Sequence, residues 1–337
     1  VKHALITGIS GQDGSYLAEY LLQLGYQVFG IVRREPRTMR WLEGIRDRIE
    51  LLYGDLRDTQ SLEVAFQKSW PDELYNLAGQ VFVPTSWECP AETFDANVGG
   101  LSRLLSIVER RKSDTRIYQA SSSEMYGNSS GFCSENSGFQ PTSPYGISKM
   151  SAHRLAEIYR ARGIYSVGGI LFNHESPRRG PEMVTRKITR AAAAWAAGDK
   201  TKLKLGNLEA RRDWGFAGDY VKAMHAMLQQ PTPKDYVIGT GKSHSVAEFV
   251  TRVLAELQSR FDGKFADAKL EDFVEHDPRL LRTGEIHDLR ADSSLARIEL
   301  NWKPEVDFAS LVHLMVEADL SASASLTSPL LSHGGVS

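Results

Sequence analysis

A chain of 337 residues with 42% hydrophobic residues is long enough for one large or two modest domains with a real core. Its formal net charge of −2 gives no reason to expect nucleic acid or an anionic membrane as the main partner. Cys89 and Cys133 have neither metal-ligand spacing nor a disulfide framework, which suits a reducing compartment and a site without metal. The first residues read as a strand and not as a leader. The longest small-apolar run, Ala191 to Ala197, is far too short to span a bilayer, so a soluble cytoplasmic protein is expected.

In chain order, His3 to Thr7 is an apolar run, Thr7 to Gly14 is glycine-rich, and Ser15 to Leu24 has the periodicity of an amphipathic helix. A strand, glycine turn and helix let the backbone close on a pyrophosphate at the positive end of the helix dipole. The candidate contacts are Gly8, Gly11, Gln12, Asp13 and Gly14. Their spacing is Gly-x-x-Gly-x-x-Gly, and a purely structural turn is the competing reading.

The next strand, Gln27 to Val32, ends in Arg33-Arg34 where an acidic residue would bind a ribose 2′-hydroxyl. Two guanidiniums there predict a 2′-phosphate, hence NADP; a solvated basic loop, with Arg37 and Arg40 also in it, is the alternative. The alternation continues with a strand at Glu50 to Tyr53, a helix at Thr59 to Lys68, a strand at Glu73 to Leu77, a helix around Ala91 to Arg110 and a strand at Arg116 to Ala120. Repetition of this kind means a parallel, doubly wound sheet. Asp55 with Leu56, and Leu77 with Ala78, fall at strand carboxyl ends, where a cofactor lies in such sheets.

Ser143 and Pro144 read as the N-cap and first residue of a helix to Arg162, which puts Tyr145 and Lys149 on one face. An ammonium beside a phenol is expected to lower its pKa and make Tyr145 a proton carrier near neutrality. Ser122, Ser123 and Glu124 leave the preceding strand in a polar loop, so a hydroxyl, a carboxylate and a phenol can converge. A last strand, Tyr165 to Phe172, nearly completes the cofactor half. Beyond it comes a polar loop, Asn173 to Gly180, then a helix with Thr185, Arg186, Lys187 and Arg190, and further cations at Arg211, Arg212, Arg279 and Arg282. Dispersed cations fit a phosphate-bearing substrate, although each alone also reads as a surface charge. The expected division is residues 1–172 for the cofactor, with part of 212–245 packing back on them, 173–320 mainly for substrate, and a disordered tail at 321–337.

The motifs QASSSEMYG (Gln119 to Gly127), SPYGISK (Ser143 to Lys149), ILFNHESPRRG (Ile170 to Gly180), VTRK (Val184 to Lys187), LGNLEARRDWGFAGDYV (Leu205 to Val221) and NWKP (Asn301 to Pro304) go further. Through them the chain resembles the extended short-chain dehydrogenases/reductases and, from Lys2 to Leu320, is similar to the GDP-mannose 4,6-dehydratase family. The resemblance implies a Rossmann-like sheet with a smaller mixed α/β substrate domain, NADP that is recycled within each turnover, and a homo-oligomer, dimer or tetramer, in which the loop around Arg33 to Arg40 reaches a neighbour's cofactor site. It implies that Tyr145, supported by Lys149, takes the C4 hydroxyl proton, that Ser122 polarises the C4 oxygen, and that Glu124 is the base at C5. It also places Ser123, Asn173, Glu175, Lys187, Arg212, Arg282 and Glu285 around a GDP-sugar. Ser122 stands where the family usually has threonine, and Val81-Phe82-Val83 departs from the family's pattern beside the sugar. A GDP-4-keto-6-deoxy-sugar reductase, or a dehydratase of another GDP-sugar such as a heptose, are the alternatives.

Overall fold

The computed structural model describes residues 1–36, 38–129, 131–281 and 286–327. The first half contains β1 (His3–Thr7), α1 (Gln12–Gln23), β2 (Gln27–Val32), β3 (Ile49–Tyr53), α2 (Thr59–Ser69), β4 (Glu73–Asn76), α3 (Val83–Glu88), α4 (Pro90–Phe94), α5 (Gly100–Arg111), β5 (Arg116–Ser122), β6 (Phe132–Cys133), α6 (Pro144–Ala161) and β7 (Ser166–Leu171). Then follow β8 (His174–Glu175), α7 (Val184–Ala196), β9 (Leu203–Leu205), β10 (Arg211–Arg212), β11 (Gly215–Phe216), α8 (Ala217–Leu228), β12 (Tyr236–Ile238), β13 (His244–Ser245), α9 (Val246–Arg260), α10 (Leu270–Phe273), β14 (Val274–His276), β15 (Asp288–Ala291), α11 (Ser294–Glu299) and α12 (Phe308–Thr327).

Seven strands form one sheet in the order β12-β7-β5-β4-β1-β2-β3, with every neighbouring pair parallel. The chain builds outward from β1 to β3, returns to β4, and builds outward the other way. The reversal between β1 and β4 leaves a crevice at the strand carboxyl ends, where open sheets of this kind hold ligands. Thr7 Oγ1 stitches the two strands there. It donates to Asn76 Oδ1 at 2.9 Å and accepts from Leu77 N and Ala78 N at 3.0 Å.

Apolar helix faces explain why the sheet is wound on both sides. Leu17 and Leu21 of α1 and Met224 and Met227 of α8 bury one face; Leu62 and Phe66 of α2, Leu104 and Val108 of α5 and Ala152 of α6 bury the other. Each large apolar side chain so buried contributes about 1.5–3 kcal/mol. A strand covered on both faces needs no polar alternation, and β7 is buried at every position. A further cluster, with Ile188 of α7, Phe249 and Val253 of α9 and Leu311 and Met315 of α12, forms the core of the smaller half.

The helix expected around Ala91 to Arg110 is present as α4, a π-turn at Asp95–Gly99 and α5, with helical backbone through both joins. A separate short helix, α3, precedes it, and two later segments differ from the sequence expectation. Pro84 and Pro90 each open a helix, and Cys89, just before Pro90, leaves the helical region at φ −130° and ψ 63°, as the ring of a following proline demands. β5 runs two residues past Ala120, so Ser122 is its last residue. The tail expected to be disordered from Ser321 is helical through Thr327, while 328–337 lie outside the described residues. Low charge had suggested disorder, but α12 is already nucleated by Leu311, Val312, Met315 and Val316 against α7 and α9, and adding turns to a formed helix costs little. Among the described residues no helix is long and apolar enough to cross a membrane.

Candidate active site

The local rules that start α6 also place its chemistry. Ser143 Oγ accepts from Gly146 N at 3.0 Å and Pro144 fills the first helical position. Tyr145 and Lys149 then share the face turned to the end of β5 and are both buried. Lys149 Nζ donates to the Ala120 carbonyl at 2.9 Å, and Ser122 Oγ, which accepts from Glu124 N at 3.2 Å, lies near enough to Tyr145 to favour its phenolate. Glu124 follows on the short 3₁₀ turn Ser123–Met125. A hydroxyl, a carboxylate, a phenol and an amine therefore meet along one wall of a cleft of about 950 Å³.

In the free protein burial opposes the expected shift of the phenol toward neutrality. Burial pushes Tyr145 up to about 12, against a hydrogen bond from Ser122 that favours the phenolate. Burial likewise pushes Lys149 down to about 8. The expected effect of Lys149 on its neighbour is weak because its Nζ stands 5.8 Å from the ring centre and points at the Ala120 carbonyl. Desolvation, which needs the whole fold, outweighs the local ammonium.

The glycine turn closes tightly at the crevice. A Cβ at Gly14 would stand 2.3 Å from the Gly8 carbonyl oxygen, and one at Gly8, where φ is +71°, would stand 3.0 Å from Ala78 N. Gly11 caps α1 without a side-chain hydrogen bond, so the first N–H groups of a 12-residue helix face the crevice uncapped by a side chain. These features fit the pyrophosphate of a dinucleotide. Gly14→Ala is expected to lower stability by about 1–3 kcal/mol, because the atoms met are backbone and cannot rotate away. Thermal unfolding measures this, and an unchanged midpoint would show that the turn yields.

Gln12 and Asp13 do more than line the turn. Asp13 Oδ2 meets His174 Nε2 at 2.8 Å, Gln12 Nε2 donates to the His174 carbonyl at 3.1 Å, and Gln12 Oε1 accepts from Ser176 at 2.7 Å. Burial opposes charge on both Asp13 and His174, yet their mutual attraction wins, lowering the acid and raising the imidazole. Asp55 accepts three hydrogen bonds from Arg57, which pull it down to about 2. Leu56 packs beneath Gly100, and Arg33 and Arg34 are exposed just past β2.

On the substrate side, Ser123, Asn173, Lys187 and Arg212 all line the cleft, Lys187 from the first turn of α7. Arg212 Nη1 donates to the carbonyls of Arg211 and Ile286. Glu175 also lines the cleft, but its buried carboxylate accepts from Thr185 Oγ1 at 2.5 Å and lies 3.0 Å from Arg179 Nε. The Arg179 contact is an ion pair by distance but too oblique for a hydrogen bond. Arg37, Arg282 and Glu285 lie outside the described residues; Arg279, Leu280 and Leu281 before them border the cleft. His174 and Arg179 line it too and stand outside the expected set. Their signal was the density of polar residues from Asn173 to Gly180, which marks a loop without ranking its members. Val81, Phe82, Val83, Pro84 and Trp87 add an apolar stretch to the lining of the same cleft.

A parallel sheet of this order, with a glycine turn at its reversal and a Tyr-x-x-x-Lys helix beside a serine and a glutamate, defines an extended short-chain dehydrogenase/reductase. The dTDP-glucose 4,6-dehydratase of Streptomyces venezuelae, solved with NAD and TYD bound, shares the fold at a TM-score of 0.84 and 22% identity, over 96% of this chain and 98% of that one. The model of the GDP-mannose 4,6 dehydratase family matches residues 5–315, and the chain belongs to that family. It is 47% identical over 335 residues to GDP-mannose 4,6 dehydratase 1 of Arabidopsis thaliana, over 95% of this chain and 90% of that protein. With the GDP-mannose 4,6-dehydratase of Yersinia enterocolitica it shares 44% over 350 residues, 95% of this chain and 94% of that one.

Proposed function

We propose that the protein is a hydro-lyase that converts GDP-mannose to GDP-4-keto-6-deoxy-mannose with NADP as a recycled cofactor. The observation that carries the dehydratase reading is Glu124, a carboxylate that lines the same cleft as Tyr145 and Ser122. A simple carbonyl reductase needs the phenol but no base at carbon.

When bound, a nicotinamide dinucleotide supplies reversible hydride acceptance, so that electrons removed at C4 are returned at C6. Its holders would be the Gly8–Gly14 turn with the start of α1, Asp55 and Leu56, Leu77 and Ala78, and Lys149. Tyr145 Oη acts as the phenolate, which the positive charges of Lys149 and of an oxidised nicotinamide would favour against burial. It takes the C4 hydroxyl proton as C4 becomes a ketone, while Ser122 Oγ donates a hydrogen bond to the C4 oxygen. The ketone acidifies the C5 hydrogen, Glu124 removes it and passes a proton to the C6 hydroxyl, which departs as water, and C5 takes up a solvent-derived proton as C6 is reduced. Asn173, Lys187 and Arg212, with Arg282 and Glu285, hold the nucleotide diphosphate, the cations meeting phosphate by charge-assisted hydrogen bonds. We place the enzyme in the cytoplasm as a homo-oligomer.

Incubation with GDP-mannose and a trace of NADP should give a product lighter by one water, with no net NADPH. Absence of a dehydrated product from any GDP-sugar would overturn the reading. NADP selectivity rests on Arg33 and Arg34, exposed at the end of β2. Replacing either by alanine should weaken NADP by about 10- to 100-fold, the equivalent of a hydrogen bond between charged groups, with a much smaller effect on NAD. Equal losses for the two dinucleotides would mean that these arginines do not read the phosphate.

A further inference from the structure

Helix α6 grips the end of β5 residue by residue. Tyr145 stands beside Ser122, Lys149 Nζ reaches the Ala120 carbonyl at 2.9 Å, and His153 Nδ1 lies 2.9 Å from Ser121 Oγ. The three helix residues are four apart and share one face, and the three strand residues are consecutive. The first two contacts belong to the catalytic group. The third has no part in the reaction as described above.

His153 is 2% exposed and closely fitted. Its ring meets Phe139 edge-on with centres 5.5 Å apart, and space for it exists because β7 carries glycine at 168, where a Cβ would stand 2.5 Å from His153 Nδ1. Its other nitrogen, Nε2, faces Glu157 Oε1 and Asp235 Oδ2, each at 3.8 Å. Asp235 is in turn fixed by Gly168 N and Arg160, and Glu157 by Arg154. Those two guanidiniums neutralise the two carboxylates, so the cluster offers a divalent ion no net charge. Burial, the largest influence, lowers the pKa of His153 despite both acids, which leaves the imidazole neutral near pH 7. A neutral imidazole has one N–H. The carboxylates favour it on Nε2, leaving Nδ1 to accept the Ser121 hydroxyl proton.

We propose that His153 is a positioning residue for the dehydration: by accepting from Ser121 it holds the end of β5 in the one arrangement that presents the Ala120 carbonyl to Lys149 and the Ser122 hydroxyl to Tyr145. Glu157 and Asp235 set its tautomer, so the chain of contacts runs from the rim of α6 to the catalytic hydroxyl. The proposal rests on the function argued above for its kinetic consequence, but not for the contact itself.

The test has two arms. In His153→Leu the acceptor is gone, and kcat should fall about 10- to 100-fold, the cost of a slightly misplaced catalytic group, with KM for GDP-mannose nearly unchanged. In His153→Asn the amide oxygen takes the place of Nδ1, and most of kcat should return. Thermal midpoints of both variants separate misfolding from misplacement, and Ser121→Ala, a smaller change, should reproduce the kcat loss. Equal kcat in His153→Leu and wild type, or equal loss in the leucine and asparagine variants, would overturn the proposal. The second arm needs no turnover. Nitrogen-15 NMR of histidine-labelled full-length protein should show a neutral Nε2–H tautomer with a hydrogen-bonded Nδ1 whose resonance moves in Ser121→Ala. An Nδ1–H tautomer or an imidazolium at neutral pH would overturn the contact whatever the enzyme's substrate proves to be.

Discussion

Glu124→Gln is expected to abolish water loss while leaving cofactor binding intact. The amide keeps the shape of the side chain on its 3₁₀ turn, and the backbone N–H that Ser122 accepts from is untouched. What disappears is the ability to take a proton. A positioned general base contributes about 10²–10⁴ in rate, so turnover should fall by that factor or more. Oxidation at C4 precedes the step that needs the base and should survive, with reduced cofactor accumulating on the protein where wild type shows none. Product formed in deuterated water by wild type should carry deuterium at C5, and the variant should form none. Retained dehydration would remove Glu124 from the mechanism. Stoichiometric consumption of NADPH by the wild type would point to a reductase.

Tyr145→Phe should be nearly as severe, with a loss of about 10²–10⁴ in kcat, but it should act earlier. The ring stays buried and only Oη is lost, so binding of GDP-mannose, followed by calorimetry, should change little. C4 oxidation should fail, and no reduced cofactor should accumulate. The two variants therefore separate the half-reactions: the glutamine variant stops after oxidation, the phenylalanine variant before it. In the free protein burial pushes the Tyr145 phenol up to about 12, so its action as a base requires that its own proton leave first in the bound complex. If Tyr145→Phe still accumulated reduced cofactor, another group would be taking the C4 proton.

Much of the site was legible because its parts are local. The i, i+4 relation of Tyr145 and Lys149, the Ser143 cap, Pro144 at the first helical position and the strand–turn–helix at Gly8–Gly14 all depend on neighbours within one or two turns. Backbone geometry enforces such relations before any tertiary contact forms. The alternation of strands and helices, and with it the parallel sheet, was legible for the same reason.

Other features depended on partners far apart in the chain. Asp13 pairs with His174, a separation of 161 residues, and so the glycine turn is tied to the loop after β7. Residues 236–238 complete the sheet beside β7 as an edge strand that sequence periodicity did not mark. The same limit produced the one chemical expectation that failed, the lowered pKa of Tyr145. Sequence spacing determined that phenol and amine share a helix face. Only the tertiary structure decided how dry that face is, and desolvation is a sum over everything packed around a group, which no local spacing can state.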